Sequence, residues 1–245
     1  MSKDSSNNYF VYSKNIFTSL IFIFPFLLIY EIICFFYFKG LDYQIRNSAD
    51  IIFRRFFDSF DIFSEYFYPI SLLALVFIIF FIKKSEFVNF DIKFNYFFIM
   101  LLEGCLFGLL LLFIINDISF ISFKSIAYQD DFLLNLYLCI GAGIWEEALF
   151  RFFLFSFIYK ILSYFEINDS FLSLYIAIFF SALLFSVFHY VGDSGEIFNI
   201  NSFIIRFLAG IYLSVLYYFR GLGIVVMAHV SYDFILVSLP LIYTS

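Results

Sequence analysis

Long apolar runs dominate this chain and leave it few ways to fold. Stretches of membrane-crossing length recur at residues 16–38, 67–82, 94–115, 132–159, 170–191, 203–219 and 222–239. A helix needs about 20 largely apolar residues to cross the hydrocarbon layer. Inside that layer only helices and closed barrels satisfy their own backbone. With 3 Pro, 10 Gly and no alternating strand-length segments bounded by turns, helices fit and a barrel does not. Composition agrees: 64% of residues are hydrophobic and 14% charged, with a mean hydropathy of +0.98, whereas soluble domains carry about 25% charged residues. The expectation is an all-α, polytopic transmembrane helical bundle of about seven spans, an integral membrane protein whose first partner is the lipid bilayer.

The connection from Lys39 to Tyr66 is mixed. Ile45, Ile52, Phe56, Phe60 and Phe63 recur at helical spacing, with Arg46, Asp50, Arg54, Asp58, Asp61 and Glu65 between them. That pattern predicts an interfacial amphipathic helix in preference to an eighth span. The first apolar run is long, carries Pro25 and Glu31 and has no small-x-small exit, so it reads as a span and not as a cleaved signal. The simplest partition is one integrated membrane domain, with an N-terminal transmembrane region over 1–131 and a motif-bearing core over 132–245. Lys and Arg divide almost evenly between alternate loops, so the positive-inside rule sets no orientation. The net charge of −6 comes without a basic block, which argues against a nucleic-acid partner. Cys34, Cys105 and Cys139 all lie in apolar runs without a CxxC, which argues against disulfides and a cysteine metal site.

Against this background, Gly-Ile-Trp-Glu-Glu-Ala-Leu-Phe-Arg at 143–151 needs explaining, because an unpaired charge in hydrocarbon is costly. Glu147 and Arg151 are four residues apart on one helical face and can neutralise each other. Glu146 points about 100° away, has no partner on its own helix and must face another helix or water. The chain's 2 histidines, His189 and His229, both fall in apolar runs, and Asp233 lies one turn after His229. Each feature has a plain structural reading: a helix clasp for Glu147 with Arg151, and hydrogen-bonded packing for a lone histidine. Glu31 and Glu103 read as packing or cavity groups, and Gly104-xxx-Gly108 as a weak helix-contact signal. The conjunction of an unpaired Glu, two His and an Asp on three helices is what points to chemistry.

Such a set suffices for water-mediated amide hydrolysis. A carboxylate can take a proton from water, a neutral imidazole can orient that water or pass the proton to the leaving amine, and a second imidazole can donate to an oxyanion. Two His and a Glu could instead hold zinc, although the HExxH signature is absent. A serine nucleophile has no GxSxG elbow to sit on.

In order, Glu146-Glu147-x-x-x-Arg151, Phe185-x-x-x-His189 and His229-x-x-x-Asp233 closely resemble the three motifs of the CAAX protease and bacteriocin-processing family, also called CPBP or Abi. The resemblance covers residues 132–239 and includes the small-residue helix and turn from Arg206 to Phe234. It implies an intramembrane endopeptidase of glutamate type, with no cofactor and no metal; zinc is the disfavoured alternative. By the same resemblance Glu146 and His189 activate water, His229 and Asp233 form the oxyanion side, and Glu147 and Arg151 support them. The family's last position is Asn or Asp. An ionised Asp cannot donate to an oxyanion, so Asp233 is expected to orient His229. The implied substrate is a membrane-associated peptide or protein, and the Phe, Ile and Tyr bias points to a prokaryotic plasma (inner) membrane. Two other classes fit buried acids and histidines: a non-catalytic scaffold or regulator of the same fold, and a proton-coupled transporter. One geometric tension remains. Glu146 lies about 21 Å beyond Phe132 at 1.5 Å per residue, whereas His189 comes at the end of its run on that same side. Their meeting requires helix 132–159 to tilt or to enter the membrane late.

Overall fold

The computed structural model describes residues 8–41, 44–58, 92–118, 131–165, 170–192 and 195–244. The expected span at 67–82 and the later part of the 39–66 connection lie outside these residues. Every regular element described is helical: α1 (Tyr9–Lys14), α2 (Ile16–Tyr37), α3 (Ser48–Asp58), α4 (Phe94–Ile118), α5 (Phe132–Glu147), α6 (Ser156–Tyr164), α7 (Ser170–Phe188), α8 (Ile200–Arg220) and α9 (Leu222–Thr244). A π-helical segment, Ala148–Phe155, joins α5 to α6 without a break. The protein is thus a helical membrane bundle. Among the described residues, four segments are long and apolar enough to cross a membrane: Ile16–Tyr37, Phe94–Ile115, Phe171–Phe188 and Ile200–Arg220, with a shorter apolar helix at Leu222–Ser238. On α4, Phe98, Leu106 and Phe113 are exposed while Met100, Leu111 and Ile115 are buried. The helix therefore turns one apolar face to lipid and one to the bundle.

The central element is α9. From Leu222 to Tyr232 nearly every side chain is buried, and three glycines on neighbouring helices let it come close. A Cβ on Gly104 would lie 2.5 Å from Met227 Cβ, one on Gly108 would lie 2.6 Å from the Ala228 carbonyl oxygen, and one on Gly143 would lie 2.3 Å from Val230 Cγ2. The weak Gly104-xxx-Gly108 signal is therefore a true helix contact. Small residues matter here because lipid supplies no hydrophobic drive between helices, so close van der Waals approach must hold them. Gly221, at φ +81°, makes the tight reversal between α8 and α9, a conformation that costs glycine little. Arg220, ending α8, reaches back to Glu103 of α4 through Nη2 at 2.7 Å, and the Tyr9 hydroxyl also donates to Glu103. Glu103 is an ion-paired packing group.

The expected amphipathic helix is present as α3, and the face that carries Asp50 and Arg54 turns inward, while Arg55 and Asp58 stay exposed. Arg46 and Arg54 both pair with Glu31 of α2, at 3.2 and 2.9 Å, and with the fully buried Asp50, at 3.1 and 2.8 Å. The Tyr30 hydroxyl donates to Asp50 at 2.9 Å. Ile52 and Phe56 are left exposed on the other side. Sequence alternation alone could not tell which face would meet lipid, because the paired charges carry little net cost once they satisfy one another. Stacked rings of Tyr30 and Tyr137, 4.5 Å apart, join α2 to α5, and the Tyr137 hydroxyl donates to the Ile45 carbonyl at 2.7 Å. Asp131 caps α5, accepting from Leu133 and Leu134 N–H. A hydrogen bond from the Tyr37 hydroxyl, reinforced by those N–H groups, holds its carboxyl below the usual range.

Gly108→Ala tests the central contact. The added methyl meets a backbone carbonyl that cannot rotate away, so the variant should lose about 1–3 kcal/mol, read as a lower unfolding temperature in detergent.

Candidate active site

Residues 132–164 form one helical run about 50 Å long at 1.5 Å per residue, and the polar cluster sits near its middle. Immediately after Glu146 and Glu147 the run widens into the π segment. π turns are rare and concentrate at functional sites. They also disturb the regular carbonyl ladder, and two hydroxyls meet carbonyls in this segment. Ser181 Oγ of α7 donates to the Phe150 carbonyl at 2.8 Å, and Ser156 Oγ to the Arg151 carbonyl at 3.3 Å. Nothing in the sequence marked this segment, because its hydroxyl partner Ser181 comes from another helix.

Glu147 and Arg151 are both fully buried and make the expected clasp, Arg151 Nη1 donating to Glu147 Oε1 at 2.8 Å. The clasp does more than neutralise charge. The same Glu147 Oε1 faces His229 Nδ1 at 2.7 Å, so one carboxylate oxygen joins the π-helical run to α9. Arg151 Nη2 continues to the Gly210 carbonyl of α8 at 3.3 Å, and the guanidinium lies 4.4 Å over the Phe185 ring of α7. Four elements meet at this ion pair. His229 Nε2 lies 3.4 Å from Asp233 Oδ2, so Glu147, which makes the shorter contact, fixes the ring, and Asp233 faces its other nitrogen.

Glu146 faces away from that pair, toward α7 and α3. Its Oε2 is 4.0 Å from His189 Nε2, and its Oε1 accepts from Asn47 Nδ2 at 2.8 Å. His189 Nδ1 lies 2.9 Å from the Phe185 carbonyl. A carbonyl only accepts, so Nδ1 carries the hydrogen, and Nε2 is the nitrogen turned toward Glu146. The Phe185 ring lies between the two histidines, 5.2 Å from His189 and 6.0 Å from His229. Access is graded: the side chains of His189 and Asp233 are 23% and 26% exposed, those of Glu146 and His229 only 8% and 6%. Among the described residues, no three His, Cys, Asp or Glu side chains group so as to hold a metal ion.

The tension over depth disappears in the tertiary register. α7 runs back along the helix that precedes it, pairing Phe150 with Phe185 at 5.4 Å and Glu146 with His189. Because the 132–164 run continues well beyond Glu146, a helix returning from its far end reaches Glu146 just as α7 stops. Asn47 is the one polar contact of Glu146 that sequence reasoning missed. Its only local signal, an Asn opening a helix, is explained by its capping of α3.

An all-helical membrane protein with carboxylates and imidazoles gathered part-way along its helices holds the groups that an intramembrane hydrolase would use. The family comparison makes this particular: residues 128–235 match the family model described as Rce1-like, type II CAAX prenyl endopeptidase, which is the CAAX protease family that the three motifs resemble. The match contains all seven motif residues and leaves α1 to α4 outside it. It is a protease family of membrane endopeptidases acting on peptide or protein substrates. No curated protein and no solved structure matches the chain.

Arg151→Met should strip the buried Glu147 carboxylate of its guanidinium partner, leaving only His229, and cost about 3–5 kcal/mol. Folded yield after size-exclusion chromatography, together with the unfolding temperature, reads that loss directly.

Proposed function

We propose that the protein is a glutamate-type intramembrane endopeptidase, in which Glu146 activates the water that attacks a peptide bond. The observation that carries this reading is the approach of Glu146 Oε2 to His189 Nε2, 4.0 Å apart. That separation is too long for a direct hydrogen bond and suits a water molecule donating one hydrogen to each. Glu146 takes the water proton as hydroxide adds to the scissile carbonyl. The proton then passes to the departing amine, with His189 holding the water in line. His229 carries a hydrogen on each ring nitrogen: Nδ1–H is committed to Glu147, and Nε2–H, which faces Asp233, turns to the developing oxyanion from a largely water-excluded position, where a preset donor counts most. Asp233 stabilises that imidazolium and does not itself donate. These steps use no metal. The substrate is a peptide or protein held at the membrane, as the family description implies, and a prokaryotic plasma membrane is the proposed location.

Glu146→Gln is near-isosteric and keeps an acceptor for Asn47, so the variant should fold. Its processing rate should fall by at least about 100-fold, within the range general-base catalysis supplies. Comparing new N-termini in membranes of wild type and variant tests this: peptides that vanish only in the variant support the protease. An unchanged N-terminal profile, with a phenotype that survives, favours a scaffold of the same fold. Processing should also persist in chelator, and loss of activity restored by zinc would overturn the metal-free mechanism.

A further inference from the structure

We infer that Asn47, from outside the family-matched segment, is a positioning residue for Glu146, and that the charged contacts of α3 are what hold it there. The inference rests on Glu146 being the base. Asn47 opens α3 with its side-chain oxygen committed: Oδ1 accepts from Ala49 N–H at 2.8 Å, as a helix-capping Asn does. That bond removes the usual ambiguity of an amide, because an oxygen is needed there and the NH2 group must point the other way. It points at Glu146 Oε1, 2.8 Å away.

One carboxylate oxygen is thereby held by a neutral donor while the other is turned toward His189. A neutral donor suits this task. A lysine or arginine in its place would neutralise the carboxylate and make it a weaker base, whereas an amide fixes orientation and leaves the charge in place. Without it, Glu146 has only its own rotamers to keep Oε2 in line, and a misplacement of about 1 Å in a catalytic group can cost roughly 100-fold.

The surroundings explain how an exposed loop can position a group so closely. Tyr137, nine residues before Glu146 on the same helix, donates to the Ile45 carbonyl. Arg46, directly before Asn47, is tied to Glu31 and Asp50, and Arg54 repeats both contacts one helical stretch later. The start of α3 is thus fastened on both sides of Asn47, to α5 and to α2. Asn47 itself is only half-buried, so substitution there opens no core cavity.

Asn47→Asp separates positioning from capping. Asp caps a helix as well as Asn but offers no N–H, and it sets a second carboxylate against Glu146. The rate of appearance of the Glu146-dependent N-termini, followed in isolated membranes across pH, should fall at least 10-fold at neutral pH. Its acid limb should move to higher pH, because neighbouring carboxylates resist ionising together. Asn47→Ala should also lose rate at least 10-fold, without that displacement of the acid limb. Unfolding temperatures of both variants, close to wild type, would exclude a merely structural loss. Wild-type rate and pH profile in Asn47→Asp would overturn the inference even while Glu146→Gln is inactive. If Glu146→Gln retains processing, the underlying reading of Glu146 has failed instead.

Discussion

A single carboxylate oxygen, Glu147 Oε1, ties four elements of this structure together. It accepts from Arg151 and faces His229 at hydrogen-bonding distance, and Arg151 extends the connection to the Gly210 carbonyl and the Phe185 ring. Two fully buried charges need such partners, even though Glu147 Oε2 and Arg151 Nε are themselves left without one. The requirement therefore runs backward through the fold: α8 must bring a bare carbonyl, α7 an aromatic face, and α9 an imidazole. Close approach of α9 depends in turn on glycines at 104, 108 and 143, where any side chain would collide. The packing of small residues and the ion pair are two halves of one arrangement.

That arrangement separates two adjacent glutamates into different surroundings. Glu147 is held by opposite charge and has no freedom to act. Glu146, one residue earlier and rotated about 100° on the helix, meets only a neutral amide and a histidine. Adjacent carboxylates with different partners allow a fold to commit one to structure and leave the other for proton transfer, the role proposed for Glu146. The π segment that begins at Ala148 lies where this division occurs, and hydroxyls of Ser156 and Ser181 meet its carbonyls.

The N-terminal region has a part in the same design. Its ion pairs among Glu31, Arg46, Asp50 and Arg54 turn Asp50 and Arg54 of α3 inward and leave Ile52 and Phe56 outside, beside the exposed Arg55 and Asp58. At a bilayer surface the paired charges then avoid lipid while the exposed apolar side chains can meet it. The family match at 128–235 covers the motif helices, while α3 supplies the remaining contact to Glu146.

By itself the sequence determined the helical membrane class, the clasp of Glu147 with Arg151 and the candidacy of Glu146, His189, His229 and Asp233. These follow from hydropathy and from spacings within single helices, which are local properties. Hydropathy could not show that the 132–164 run is continuous, that α7 retraces it to bring His189 to Glu146, or that Glu147 reaches His229. Nor could it assign Asn47, whose capping role accounts for its place in the sequence. Each of these is a contact between elements far apart in the chain, fixed by which glycines permit close approach and which buried charges demand a partner. Only the tertiary structure decided them, because only there do the helices meet.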